Sequence, residues 1–350
     1  MKVLVTGATG HLGNVLTKAL KNRGDDVTAF ILPGEDIAEI MPYCDHILYG
    51  NVLDLQSLII AFRGIDVVFH TAGIIDISSS KKMRKLMQSV NIGGVHNVIT
   101  ACKDAHVSRL IYTSSVHAIP EKDGKETMYE SSSFNPKFIK GSYAKTKAIA
   151  TQAVLNATKE GLDAVVVHPA GIIGPEDYSM SHMGTMVYNF LTGKLRAYTS
   201  GGYNFVDVRD VVSGILSAQE KGVSGECYIL SGEYHSLKEM IHLMKDVTKS
   251  KRRLVWIPHW LALIFSPFAQ LYYRIFKLKP LFTPYSLSTL MSNSNYSHEK
   301  AKNTFGYAVT KFKKTLEDTI RWTTEHYHLP VSKRKKEKLK KKELNKKSKT

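Results

Sequence analysis

The stretch VTGATGHLG, Val5 to Gly13, sets Gly7, Gly10 and Gly13 three residues apart at the very start of the chain. The short apolar run KVLV precedes it, and a stretch with helical patterning follows through Leu20. A strand that ends on glycine and passes straight into a helix makes a tight turn that a ligand can approach closely. The helix N-terminus adds free amide donors and the positive end of the macrodipole, which together suit an anion. The three glycines therefore form a variant of the dinucleotide fingerprint, with one extra residue between the first two. Thr9, His11 and Leu12 lie in the same loop and are assigned with it to the dinucleotide.

Outward from this loop, the first half of the chain alternates strand and helix. DDVTAFIL reads as a second strand, HILYGNVLD as a third, and LQSLIIAFRG as a helix. DVVFHTAG, the helical SVNIGGVHNVITACKDAH, RLIYTSS, a helix around Tyr143 and the strand DAVVVHPAGIIG continue the pattern. Such alternation predicts right-handed crossovers and a parallel sheet covered on both faces. VVF and AVVV are apolar without alternation, as buried parallel strands are. After about Gly174 the pattern becomes irregular, until NFVDVRDVVSGILSAQEKG and GECYILSG restore it. The expected fold is α/β, a Rossmann-type doubly wound parallel sheet with a smaller, mixed C-terminal substrate lobe. The expected nucleotide lobe covers residues 1–168 and recovers about 204–232, and residues 169–203 and 233–331 form the second lobe.

Three hundred and fifty residues and a 43% hydrophobic content suffice for one large core or two smaller ones. Cys44, Cys102 and Cys227 are widely separated and suggest neither a disulfide framework nor a metal site. With no export-type apolar leader, a cytoplasmic protein is expected, with a peripheral membrane position left open. The net charge of +17 is concentrated at one end. Residues 332–350 hold eleven Lys or Arg against Glu337 and Glu343, a net +9 that leaves +8 for the rest. So basic and so poor in apolar residues, this tail is expected to be disordered. It could touch an anionic membrane or RNA weakly.

GSYAKTKAIA, residues 141–150, places Tyr143 and Lys147 at i and i+4 on one helical face, with Lys145 turned elsewhere. A positive charge beside a phenol favours the phenolate, which suits proton exchange with a carbonyl or alcohol. The spacing recurs at Tyr234, Tyr273, Tyr296 and Tyr307, so in a lysine-rich chain it decides nothing by itself.

Order along the chain does decide. Thr6-Gly7-x-x-Gly10-x-x-Gly13, DVVFHTAG (66–73), VNIGGVHNV (90–98), YTSS (112–115), Tyr143-x-x-x-Lys147, HPAGIIGP (168–175) and VDVRDV (206–211) appear in sequence. From residue 1 to about 325 the chain resembles the extended short-chain dehydrogenase/reductases, or NAD-dependent epimerase/dehydratases. The resemblance implies that Ser115, 28 residues before Tyr143, Tyr143 itself and Lys147 are catalytic. Lys147 would hold the nicotinamide ribose and, with the oxidised ring, lower the Tyr143 pKa; Ser115 would steady the reacting oxygen. Strand alternation turns Ser114 the other way. Asn91 would help shape the sheet-edge site. Asn51 and Val52 would lie near the adenine, and Thr71, Ala72, Gly73, Pro169, Ala170 and Ile172 would line the cofactor. His70, His117 and His168 sit at strand ends, too widely spaced for a metal.

The cofactor is expected to be NAD or NADP. An acid about 20 residues past the glycines favours NAD and an Arg favours NADP, but the second strand ends Phe30-Ile31-Leu32. Glu35 and Asp36 follow Pro33-Gly34, where a turn could send them outward. Sugar-nucleotide members carry Arg-Tyr-Phe-Asn where this chain has Val167-His168-Pro169-Ala170. The chain looks more like the branch of 3-beta-hydroxysteroid dehydrogenases and dihydroflavonol 4-reductases. That favours ketone–alcohol chemistry on a hydrophobic small molecule over nucleotide-sugar epimerisation or dehydration. A dinucleotide-binding scaffold without turnover would need no Ser-Tyr-Lys set. A homodimer is left open. WIPHWLALIFSPFAQLYYRIF, residues 256–276, has no apolar run longer than six residues, well short of the roughly 20 that cross a bilayer. It is expected to roof the pocket as core or to rest in a membrane interface, with 251–253, Lys277 and Lys279 at its borders.

Overall fold

A computed structural model of the chain describes residues 1–75, 80–122, 124, 126–276 and 282–329. The basic tail and the border residues Lys277 and Lys279 lie outside the described residues.

The strands are β1 Lys2–Thr6, β2 Asp26–Ile31, β3 His46–Tyr49, β4 Val67–His70, β5 Arg109–Thr113, β6 Ala164–Pro169, β7 Gly171–Ile173, β8 Ala197–Tyr198, β9 Gly202–Asp207, β10 Cys227–Leu230, β11 Glu233–Ser236 and β12 Val255–Trp256. Seven form one sheet in the order β10-β6-β5-β4-β1-β2-β3, parallel throughout. Chain order reverses between β1 and β4. At such a switch point the crossovers leave in opposite directions and open a crevice beyond the strands' C-terminal ends. Val3–Val5, Val67–Phe69, Leu110–Tyr112 and Val165–Val167 are all buried, so the central strands are sealed on both faces.

The helices of this lobe are α1 His11–Arg23, α2 Leu55–Phe62, α3 Lys81–Gln88, α4 Val95–Asp104 and α5 Ser142–Lys159. They are followed by α6 His182–Thr192, α7 Val208–Lys221, α8 Leu237–Thr248, α9 His259–Ile275, α10 Pro284–Leu290, α11 Glu299–Phe305 and α12 Phe312–His326. α1 packs with α7, while α2, α4 and α5 pack in series.

DAVVVHPAGIIG, read as one strand, is divided between two sheets. β6 stays in the large sheet, and β7 pairs with β9 in a three-stranded sheet with β11. Gly171 permits the change, because a Cβ there would stand 2.9 Å from the Asn204 carbonyl oxygen. Of the segment 204–232, α7 and β10 return to the large sheet, whereas β9 does not. A second core, including Ile173, Phe205, Met240, Leu287 and Leu316, fills the smaller lobe.

Asp207, at the end of β9, fastens that lobe. Its side chain is fully buried and caps α7, accepting the Arg209 backbone N–H. It also accepts Arg209 Nη2 at 2.6 Å and Thr315 Oγ1 at 2.8 Å. Arg209 Nη1 reaches on to Asp318 Oδ2 at 2.9 Å, which ties α12 to the β9–α7 corner. Asp207→Ala leaves Arg209 with Asp318 alone and removes the acceptor of the α7 amide and of the buried Thr315 hydroxyl. Its urea unfolding midpoint is expected to fall by the equivalent of roughly 2–3 kcal/mol; an unchanged midpoint would remove Asp207 from this role.

Candidate active site

The glycine loop crosses the crevice at the switch point. Gly7 has φ +72°, and a Cβ on it would meet the Ala72 backbone at 2.7 Å. On Gly13, a Cβ would lie 2.0 Å from the Gly7 carbonyl oxygen, so α1 is pressed onto its own entry turn. Gly10 differs: a Cβ there would meet only the Gly7 oxygen, at 3.3 Å. Two glycines thus serve the fold, while a side chain at the third would press on one carbonyl oxygen alone. Gly10 is also the N-cap of α1, which has no side-chain cap and no acid in its first turn. Its leading amides and dipole are left for an outside anion. A dinucleotide's diphosphate fits this cradle.

Glu35 comes back to the loop. After β2 the chain turns at Gly34, φ +88°, and Glu35 Oε2 accepts Thr9 Oγ1 at 2.8 Å and Leu32 N–H at 3.3 Å. The turn that could have sent this acid outward folds it inward. His11 crosses toward the smaller lobe, its Nε2 2.9 Å from the Pro175 carbonyl oxygen. Asn51 accepts the Leu53 N–H in a local turn. Val52 is buried against Gly94, and its carbonyl accepts from Asn97.

The β4 end carries Thr71, Ala72 and Gly73. Thr71 Oγ1 donates to Thr6 O at 2.7 Å, which locks the two central strands together beyond the register pair Thr6–His70. Asn91 is 2% exposed in a π-helical turn, Ser89–Gly94. It accepts the Ile74 N–H at 2.8 Å and donates to Ile74 O and Thr146 Oγ1. It is a buried clamp between the β4 loop and α5, not a helix-surface amide.

Tyr143 and Lys147 are buried on the inward face of α5, and Lys145 is exposed. Lys147 Nζ donates to Thr113 O at 2.9 Å and stands 5.2 Å from the Tyr112 ring centroid. The exposed backbone of Gly73 comes so near that a Cβ there would sit 3.4 Å from the ammonium. Burial pushes the Lys147 pKa down to about 8. It pushes the Tyr143 phenol up to about 12, with the Ser115 hydroxyl pulling the other way. Burial sets the direction for this phenol. Ser114 bonds Thr151 Oγ1 at 2.6 Å, turned away from the site as strand alternation requires. Ser115 caps a short turn, and its carbonyl accepts His168 Nδ1 at 2.9 Å.

Among the described residues the other tyrosine–lysine pairs form no such site. Tyr234 is exposed, and Lys300 pairs with Glu226 at 2.6 Å; Lys277 lies outside the described residues. His70 and His168 are held neutral by burial, at about 3 and about 4. Among the described residues no cluster of His, Cys, Asp and Glu could hold a metal. Pro169 ends β6 and Ala170 follows it, both buried, and Ile172 packs on the main core. Tyr285 of α10 was not anticipated. Its ring covers Gly141, φ +93°, at the head of α5, where a Cβ would meet it. Nothing local in the sequence ties it to Tyr143.

Residues 3–231 match the profile described as the NAD dependent epimerase/dehydratase family. Sterol demethylase protein B of Methylococcus capsulatus is 31% identical over 332 residues, which cover 93% of this chain and 99% of that protein. The Mus musculus sterol-4-alpha-carboxylate 3-dehydrogenase, decarboxylating, is 27% identical, covering 93% and 88%. The crystal structure of gox2253 superposes with a TM-score of 0.81 at 28% identity, covering 94% of this chain and 99% of that one. The chain belongs to the NAD dependent epimerase/dehydratase family and is an extended short-chain dehydrogenase/reductase that uses a nicotinamide dinucleotide.

Proposed function

We propose that the enzyme interconverts a ketone and an alcohol on a hydrophobic ring system of sterol or flavonoid type, with NAD as its preferred cofactor. The observation that carries the reading is the buried Ser115, Tyr143 and Lys147 set at the sheet's C-terminal edge, next to the glycine cradle. The dinucleotide, when bound, supplies or accepts the hydride. In reduction Tyr143 gives its proton to the carbonyl oxygen, and in oxidation it takes the alcohol's proton. Ser115 donates a hydrogen bond to the same oxygen. Lys147, held at one proton by Thr113 O, keeps others for the cofactor's ribose hydroxyls. A phenol raised by burial stays protonated at neutral pH and is ready as an acid.

Sterol substrates are supported by the names of two relatives. A sugar nucleotide is less well served. Position 170 offers only the Ala170 methyl where sugar-nucleotide members present an asparagine, and His168 is buried against Phe134 with ring centroids 5.3 Å apart. NAD is supported by Glu35, 22 residues past Gly13 and folded onto the glycine loop. A carboxylate there accepts ribose hydroxyls and repels a 2′-phosphate.

Nicotinamide absorbance, followed with panels of sterols, flavonoids and UDP-sugars and with each cofactor, tests the reading. Turnover of the UDP-sugars alone would overturn it. Tyr143→Phe is expected to lower kcat roughly 10²–10⁴-fold with cofactor affinity nearly unchanged; wild-type rates would exclude Tyr143 from proton transfer. Gly10→Val should fold normally by circular dichroism yet lose cofactor binding in fluorescence titration, and unchanged affinity would place the diphosphate elsewhere. For Glu35→Gln, the ratio of kcat/KM with NAD to that with NADP should fall about tenfold or more. A constant ratio would deny Glu35 the selection.

A further inference from the structure

α9 is built the opposite way from a helix that serves a core. Its inward line carries small side chains: Ser266 is 1% exposed, and Ala262 packs against the second core. Its large apolar side chains face out. Trp260, Ile264, Phe268, Leu271 and Ile275, spaced i, i+4, i+8, i+11 and i+15, are between 54% and 68% exposed. That spacing forms one continuous stripe along the helix. Contiguous apolar patches of such length are rare on soluble monomers and mark interaction surfaces. The expectation that this segment roofs the pocket as ordinary core therefore fails for its outward half.

We infer that this face of α9 docks on an anionic lipid bilayer and lies in its interface. The 17-residue helix contains Pro267, and no described helix is long and apolar enough to cross a membrane. Trp256 and Trp260 stand exposed at its N-terminal end, and indoles favour the headgroup level. Lys251 and Arg253 are exposed just before them. In the sequence Lys277 and Lys279 follow the helix, and the last 19 residues carry a net +9. Charge decides between a bilayer and a second copy of the chain. A two-fold contact through this face would set each copy's basic border against the same border of its partner, whereas anionic headgroups neutralise both. α9 also packs on α10, which carries Tyr285 to the head of α5. Docking thus turns that side of the site toward lipid, from which an apolar substrate would enter; this last point alone rests on the proposed function.

The test is flotation of the full chain with phosphatidylcholine vesicles, with and without phosphatidylserine, together with quenching of tryptophan fluorescence by brominated acyl chains. The chain is expected to float with the phosphatidylserine vesicles and to be quenched. Ile264→Asp with Phe268→Asp should reduce the floated fraction about tenfold or more, with circular dichroism and elution volume unchanged. Equal flotation of this variant, no quenching, or binding lost only when residues 332–350 are removed would overturn the inference. So would a native dimer that the two aspartates convert to monomer. Turnover of a detergent-dispersed substrate without vesicles is measured alongside. Its absence would count against the proposed chemistry and leave the docking result standing.

Discussion

The first turn of the chain is pressed against itself more tightly than any residue but glycine allows. With 2.0 Å between a hypothetical Gly13 Cβ and the Gly7 carbonyl, α1 has one place to lie. That place fixes where β1 ends and how closely the β4 loop can pass at Ala72. Thr6, His70 and Thr71 then stitch the two central strands together by side-chain and register contacts. The crevice at the switch point follows from this compression, and every candidate site residue is measured from it.

On the other side of the crevice the problem is electrical. Lys147 holds an ammonium against a backbone carbonyl, the face of Tyr112 and the Gly73 backbone. Burying a cation with so few partners works against the charged form, and nearby His70 and His168 stay neutral. The site is therefore assembled at some expense to stability, as sites tuned for proton exchange commonly are. Asn91 makes the expense tolerable by fixing the β4 loop against α5, which leaves the lysine little freedom to escape.

Much of this was legible in the sequence because its cues are local. Glycine spacing, unbroken apolar strands and an i, i+4 pair each report on a few neighbouring residues, and the large sheet was read from them almost strand by strand. Other features depended on distance. The transfer of Gly171–Ile173 to another sheet depends on how near Asn204 comes. The inward return of Glu35 depends on a Thr9 hydroxyl two elements away, and Tyr285 arrives from α10. The phenol's burial is also a matter of distance, since spacing reveals a neighbouring charge but not how much water the fold removes.

Asp207 and Asp318 give the molecule a temporal order as well as a shape. On the ribosome, β1 to β6 can collapse early, but the edge strand β10 comes only after β7 and β9 have left for the other sheet. The clamp that joins α12 to this corner needs a side chain at position 318. The smaller lobe, interrupted in sequence, cannot close this clamp until α12 has left the exit tunnel. A nascent chain therefore carries a nucleotide cradle before its second lobe is fastened.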